Sequence, residues 1–310
     1  MVYLLPAHVD GPPAAPQRGG LQAACYPGPD VRDERGRPLW LHGVQAWPEN
    51  RAGWLVVHDG TPDLDDDDTH VDYGNQDDDP QPVAGRPVLL RTSVRGPRPS
   101  RGTDMLAVMS GRVERRLEAI TSQAIAREVW TGRLTQADTY ELADGQEWLN
   151  PTPDSGDTWA NPFLSADGLV TVPDGPLSPM RALGELESAL ADRVAGGPLL
   201  IHVPVAVLPE ISWTLDRQGD ALYTAKGSRV VPDSGYPGWG PGEDEQTADP
   251  GIWMYGSGPI QLWVGEKTVF DRMEQVVHIR DNQCEMWAER PFLTLFDPST
   301  IVGAAVTPST

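Results

Sequence analysis

The chain has 310 residues and a mass of 33.7 kDa, enough for one large domain or two ordinary ones around a sizeable core. Its 45 acidic residues outnumber 24 basic ones, and the net charge of −21 excludes a surface built to grip phosphate or to read nucleic-acid sequence. No run of about 18 apolar residues occurs, so no membrane partner is expected, and Met1–Pro6 lacks the features of a signal peptide.

Gly 32 and Pro 31 point to a folded chain with many loops, bulges and extended arms. Cys25 and Cys284 are far apart and read as free thiols in a reducing compartment. Residues 1–45 show little periodicity and many Pro and Gly residues, so they read either as a disordered tail or as an arm that orders against neighbours. Leu39-Trp40-Leu41, Val44 and Trp47 would anchor such an arm. Residues 51–100 read as one long two-stranded excursion, with Trp54–Val57 and Val88–Leu90 as its sides. Between them Asp63-Leu64-Asp65-Asp66-Asp67-Asp68, then Asp72 and Asp77–Asp79, form a self-repelling, solvated tip.

From about 103 to 133 the period becomes helical. Leu106, Met109, Val113, Leu117, Ile120, Ala124 and Val129 form a stripe, with Arg112, Glu114, Arg115 and Glu118 opposite. Thr103 or Ser100 would cap its start, Gly132 its end, and Gly111 is its weak point. Residues 138–177 are irregular. A second helix is predicted at about 179–195, capped by Ser178, begun by Pro179, striped by Leu183, Leu186, Leu190 and Val194, and ended by Gly196-Gly197. Leu199–Val203 reads as a buried strand. Four more follow: Ile260–Val264, Val276–Ile279, Cys284–Ala288 and Phe292–Phe296, with Asp281-Asn282 as a turn. The class is mixed α+β, with segregated helices and antiparallel strands.

Catalytic motifs are missing: no Walker loop, no His-Glu-x-x-His, no Cys-x-x-Cys and no Gly-x-Ser-x-Gly. Gly238–Gly242 reads as a plain loop. Asp63, Asp65 and Asp67 imitate the start of a calcium loop, but Asp68 stands where glycine is required and Gly74 where glutamate is required. His202 and His278 lie in strand-like runs and read as partly buried structural residues. No catalytic residue, cofactor or metal is therefore expected. The chain does carry 11 tryptophans, several within Pro/Gly-rich segments, as if irregular backbone were pinned by docking.

Three stretches carry a family resemblance. Glu128-Val129-Trp130-Thr131-Gly132 resembles the helix ending of tailed-phage major capsid proteins. The helix Leu183–Val194 followed by Gly197-Pro198 and Leu199–Pro204 is similar to their axial-domain helix and strand. Cys284–Glu289, Arg290, Phe292 and Asp297–Val302 resembles their terminal pattern. The order of elements resembles that of the Hong Kong 97 phage capsid fold. The resemblance implies an extended N-terminal arm (1–45), a projecting β-hairpin loop (46–102), and a spine helix with the first part of a peripheral domain (103–177). An axial domain (178–259) and returning peripheral strands (260–310) would complete it.

By resemblance the chain would be a structural subunit of an icosahedral phage head and not an enzyme, assembled in the host bacterial cytoplasm and residing in the virion. Its partners would be itself, as pentamers and hexamers, the portal, and possible decoration or scaffolding proteins. Expected intersubunit contacts are Trp40, Trp47, Trp54, Asp65, Asp66, Asp67, Asp68, Arg91, Arg95, Arg98 and Arg101. Some members of the family cross-link through a loop lysine, whereas the only lysines here are Lys226 and Lys267, so a non-covalent shell is expected. Alternatives are an encapsulin-like shell, a decoration protein, and more remotely a hydrolase with an acidic metal site.

Overall fold

The computed structural model describes residues 19–32, 34–46, 55–56, 70–71, 83–97, 105–132, 134, 161–166, 170–172, 175–194, 198–242, 251–270, 277–278 and 283–307. In chain order come α1 (Leu21–Ala24), β1 (Tyr26–Pro27), β2 (Val44–Ala46), β3 (Leu55–Val56), β4 (His70–Val71), β5 (Val83–Gly85), β6 (Val88–Pro97) and α2 (Met105–Thr131). Next are β7 (Val170–Thr171), α3 (Pro179–Ala191), β8 (Leu200–Pro204), α4 (Leu208–Ile211), β9 (Asp216–Gln218), β10 (Ala221–Tyr223), β11 (Arg229–Asp233) and β12 (Ile252–Ser257). The last are β13 (Gln261–Val264), β14 (Thr268–Phe270), β15 (Val277–His278), β16 (Gln283–Leu295) and β17 (Val302–Val306).

The first sheet is built on β16, which pairs with β6, β13, β14 and β15, while β1 adds to β13 in parallel. The second runs β7-β17-β12-β8-β11-β10-β9. Helix α2, about 40 Å long at 1.5 Å per residue, joins the two. Its first half lays Met109, Val113 and Leu117 on Cys284, Met286 and Ala288 of β16. Its second half enters the central core, where Ile125, Val129 and Trp130 meet Tyr255, Phe292 and Phe296. There the helix is buried on almost every side, polar Thr121, Ser122 and Glu128 included.

The end of α2 shows why the sequence stops there. Gly132 takes φ +63°, and its N–H donates to Glu128 O at 2.7 Å. A Cβ at this glycine would fall 2.5 Å from the Phe163 ring, so backbone angle and close packing both demand glycine. The next orphaned carbonyls are taken by the 161–166 segment: Leu164 N–H donates to Val129 O and Ser165 N–H to Trp130 O. The helix passes through Gly111 without a break. Its predicted caps, Ser100 and Thr103, lie outside the described residues.

In the second sheet α3 buries Leu183, Leu186 and Leu190 against Ile201, Val203, Met254 and Val302. All five residues of β8 are buried, as the apolar run predicts. Ser178 stands at the N-cap with Pro179 after it, but its side chain makes no capping bond. The helix ends at Ala191, four residues short of expectation. Leu190 O draws in the N–H groups of both Arg193 and Val194, closing the chain in a tight final turn while Val194 stays buried.

Two strand expectations need correction. Val88–Leu90 does not pair with Leu55–Val56, the described part of the other predicted side. It opens β6, which runs antiparallel to β16 from Val88↔Phe292 to Pro97↔Gln283. Among the described residues of the 51–100 excursion β3 pairs with β4, while β5 pairs with β2, which precedes the excursion. Cys284–Ala288 and Phe292–Phe296, read as separate strands, are one strand through Pro291. Pro291 O accepts from Gly265 N at 2.8 Å, on the side where β13 ends and β14 has not begun. A strand residue's N–H and C=O point the same way, so the missing N–H of proline faces that gap and breaks no ladder bond. The Asp281-Asn282 turn lies outside the described residues.

Residues 19–46 fold onto their own chain: Trp40 is buried with Trp263, Leu293 and Leu295, and Leu41 and Val44 pack against that cluster.

Candidate functional site

Side chains alternate along β16. Cys284, Met286, Ala288 and Arg290 point toward α2, while Glu285, Trp287 and Glu289 point away. Arg290, mostly buried among apolar neighbours, forks onto Glu118 of α2 with Nη1 and Nη2 each 2.9 Å from a carboxylate oxygen. Lys267 reaches Glu114 at 2.8 Å and Glu118 at 3.7 Å. The Arg290 guanidinium holds the Glu118 carboxyl below its ordinary range, with Lys267 adding to the effect against the cost of partial burial. The charges that the sequence pattern places opposite the stripe of α2 thus fasten helix to strand.

The other face of the β6–β16 ribbon carries a polar ladder. Register sets Arg91 opposite Glu289 and Arg95 opposite Glu285, and the pairs close at 2.6 and 3.0 Å. Trp287 lies between them, stacked on Phe270 and under the Arg91 guanidinium at 5.5 Å. Of the predicted contact residues, then, Arg91 and Arg95 have partners within the chain and Trp40 sits in an internal cluster. The structure does not bring these three together. Trp47, Trp54, Asp65, Asp66, Asp67, Asp68, Arg98 and Arg101 lie outside the described residues.

Sequence reasoning missed a buried polar network. Glu128, wholly buried in α2, accepts from Leu134 N at 2.7 Å and from Asn161 Nδ2 at 3.1 Å. Asn161 also bonds the backbone of Arg86, through Arg86 N to Oδ1 at 2.7 Å and Nδ2 to Arg86 O at 3.1 Å. One carboxylate and one amide thus tie the end of α2 to the turn before β6. The only signal was Glu128 itself, within Glu128-Val129-Trp130-Thr131-Gly132.

The groups closest to catalytic chemistry are locked. His202 is fully buried, with Tyr236 Oη 2.8 Å from Nδ1 and Ser257 Oγ 2.9 Å from Nε2. Ser257 donates its hydroxyl proton to Gly258 O at 2.9 Å, so it accepts from Nε2–H, and Nδ1 in turn accepts from Tyr236. Burial pushes the His202 pKa down to about 3, keeping the ring neutral. Burial also pushes the Cys25 thiol up to about 12, outweighing nearby Arg229. Among the described residues no three His, Cys, Asp or Glu side chains converge on a metal position.

Surface features are sharper. Trp213, in a short turn after α4, is 76% exposed, against 7% for Trp40 and 5% for Trp263.

No family model matches the sequence, and no curated protein matches it. The fold does match solved structures along almost the whole chain. A structure from Gordonia phage Cozz is similar at 12% identity and a TM-score of 0.50, covering 99% of this chain and 92% of that one. The capsid of a native GTA particle is similar at 9% identity and a TM-score of 0.51, covering 99% of this chain and 95% of that one. The capsid of the empty GTA particle gives the same figures. The α+β capsid fold expected from the order of elements is the fold of this chain.

Proposed function

We propose that the chain is the major capsid protein of a tailed phage, a subunit that closes with copies of itself into an icosahedral head around double-stranded DNA and performs no catalysis. One observation carries this: the fold of a GTA particle's capsid extends over 99% of the chain. Physical features agree with it. His202 and its two hydroxyl partners are sealed in the core, and the side chains spanning α2 and β16 serve to fix geometry. A strongly negative subunit also suits a container, because it does not cling to the nucleic acid inside.

In this reading α2 with the β16 sheet forms the peripheral unit, and α3 with the β8 sheet the axial unit. The returning chain supplies strands to both, β13–β16 to one and β17 to the other. Pentamers and hexamers of the chain form the shell, with portal and possible decoration or scaffolding proteins as head partners. Assembly takes place in the host cytoplasm and the product is a virion component. No described helix is long and apolar enough to cross a membrane. With no lysine in residues 46–102, the shell is held by non-covalent contacts.

Electron microscopy of the purified chain tests the proposal. Closed particles tens of nanometres wide are expected, and a protein that stays monomeric or dimeric under all assembly conditions rules it out.

A further inference from the structure

Trp213 is the most exposed large hydrophobic side chain among the described residues. Its ring is nevertheless held. Nε1 donates to Glu210 O at 3.0 Å, and the following Thr214 hydroxyl bonds Ile211 O at 2.7 Å and touches Met180 Sδ of α3 at 3.5 Å. The polar end of the indole is satisfied inside the turn and the face of the ring is unused. A rigid aromatic presented this way loses little entropy on binding.

Lys226 is its counterpart. It is exposed on the tight turn between β10 and β11, where Gly227 takes φ +91° and its N–H donates to Thr224 O. Lys267, the other lysine, is taken by Glu114 and Glu118, whereas Lys226 has no ion-pair partner among the described residues. Asp216, exposed three residues after Trp213, likewise has none there. The antiparallel register Tyr223↔Asp216 places the start of β9 and the 224–228 turn at the same end of the second sheet. Trp213 is not among the described ring–cation contacts, which join Arg91 to Trp287 and Arg127 to Trp239.

One end of the axial sheet thus carries an electron-rich ring three residues before an exposed carboxylate, and an ammonium with no ion-pair partner among the described residues. We infer that the Trp213 ring and Asp216 of one copy receive the Lys226 ammonium of the next copy in the capsomer. This rests on the shell reading above. The contact is heterologous, the type that closes into rings, and it combines a cation over an aromatic face with an ion pair.

The test uses full-length chain carrying the photo-crosslinking residue p-benzoylphenylalanine in place of Trp213, assembled and irradiated. Multimers whose cross-linked peptide contains residues 224–229 of a second copy are expected. Cross-links confined to one chain, or mapping elsewhere in assembled particles, overturn the contact. As a second measurement, Trp213→Ala and Lys226→Glu should each lower particle yield about tenfold, as loss of one aromatic anchor does. Lys226→Arg should restore it, and the melting temperature of the free subunit should not move. Wild-type yields from Trp213→Ala refute the contact and leave the shell reading standing. Absence of particles from the wild-type chain removes the shell reading and this contact with it.

Discussion

Helix α3 rests on its sheet through Leu183, Leu186 and Leu190, and its polar link there is the buried hydrogen bond from Thr224 to Glu187. Helix α2 rests on β16 through a shorter apolar patch and through Lys267–Glu114 and the Arg290–Glu118 fork. Apolar contact is strong and non-directional, and it contains no group that titrates. Ion pairs across a half-exposed seam add little energy, but they fix where a long helix lies along a long strand. Among the described residues no ion pair joins α3 to its sheet, and the α2 seam is the contact that carries charges able to respond to pH and ionic strength. If the chain builds the shell proposed above, that division separates what stays fixed from what adjusts between non-equivalent positions.

The largest effect should come from opening the apolar half. Leu186→Ala removes a fully buried side chain between α3 and the β8 sheet and should cost about 2–5 kcal/mol. Urea unfolding of the free subunit measures it, and the loss should be the same at pH 5 and pH 8. A loss below about 1 kcal/mol would mean that α3 is held by something other than this packing.

Part of this division was legible before any coordinates. The stripe of α3 and the buried run of β8 were visible because their apolar contacts follow a local period. The pairing of β6 with β16 was not, because register between segments almost 200 residues apart leaves no local trace. Pro291 read as a break only because its gap-facing side is a property of the assembled sheet. Glu128 and Asn161 could not be matched either, since neither residue implies the other across 33 positions. Tryptophan was the most misleading residue type. Trp40, marked by its Pro/Gly-rich surroundings, is internal in the single chain, while Trp213, unmarked, is exposed.

A second way to sharpen the comparison is His202, a fully buried titratable group of β8. The folded pKa of His202 lies near 3 against an ordinary 6.5, so between those values the unfolded chain binds a proton that the folded chain does not. Stability should therefore fall as pH drops below 6.5, by up to about 1.4 kcal/mol per pH unit. His202→Gln should be less stable at pH 7 yet lack this part of the slope. Urea midpoints from pH 4 to 7 for both proteins decide the matter, and parallel curves would show that His202 is not kept neutral.

The smallest effect belongs to the seam and has the most specific signature. Glu118 is held below its ordinary value of 4.5, so its pairing stabilises the fold above that pH and is lost as pH falls through the lower folded value. A double-mutant cycle of Glu118→Gln and Arg290→Met should give a coupling of about 1 kcal/mol at pH 7, discounted because Glu118 is more than one-third exposed. The same cycle at pH 3 should give much less. The Leu186→Ala loss should hold across both conditions, since no charge takes part in that packing. A seam coupling as large at pH 3 as at pH 7 would mean that Arg290 is fixed by its apolar surroundings rather than by the carboxylate. The α2 seam would then be as insensitive to pH as the Leu186 packing, and the contrast between the two helices would lose its physical basis.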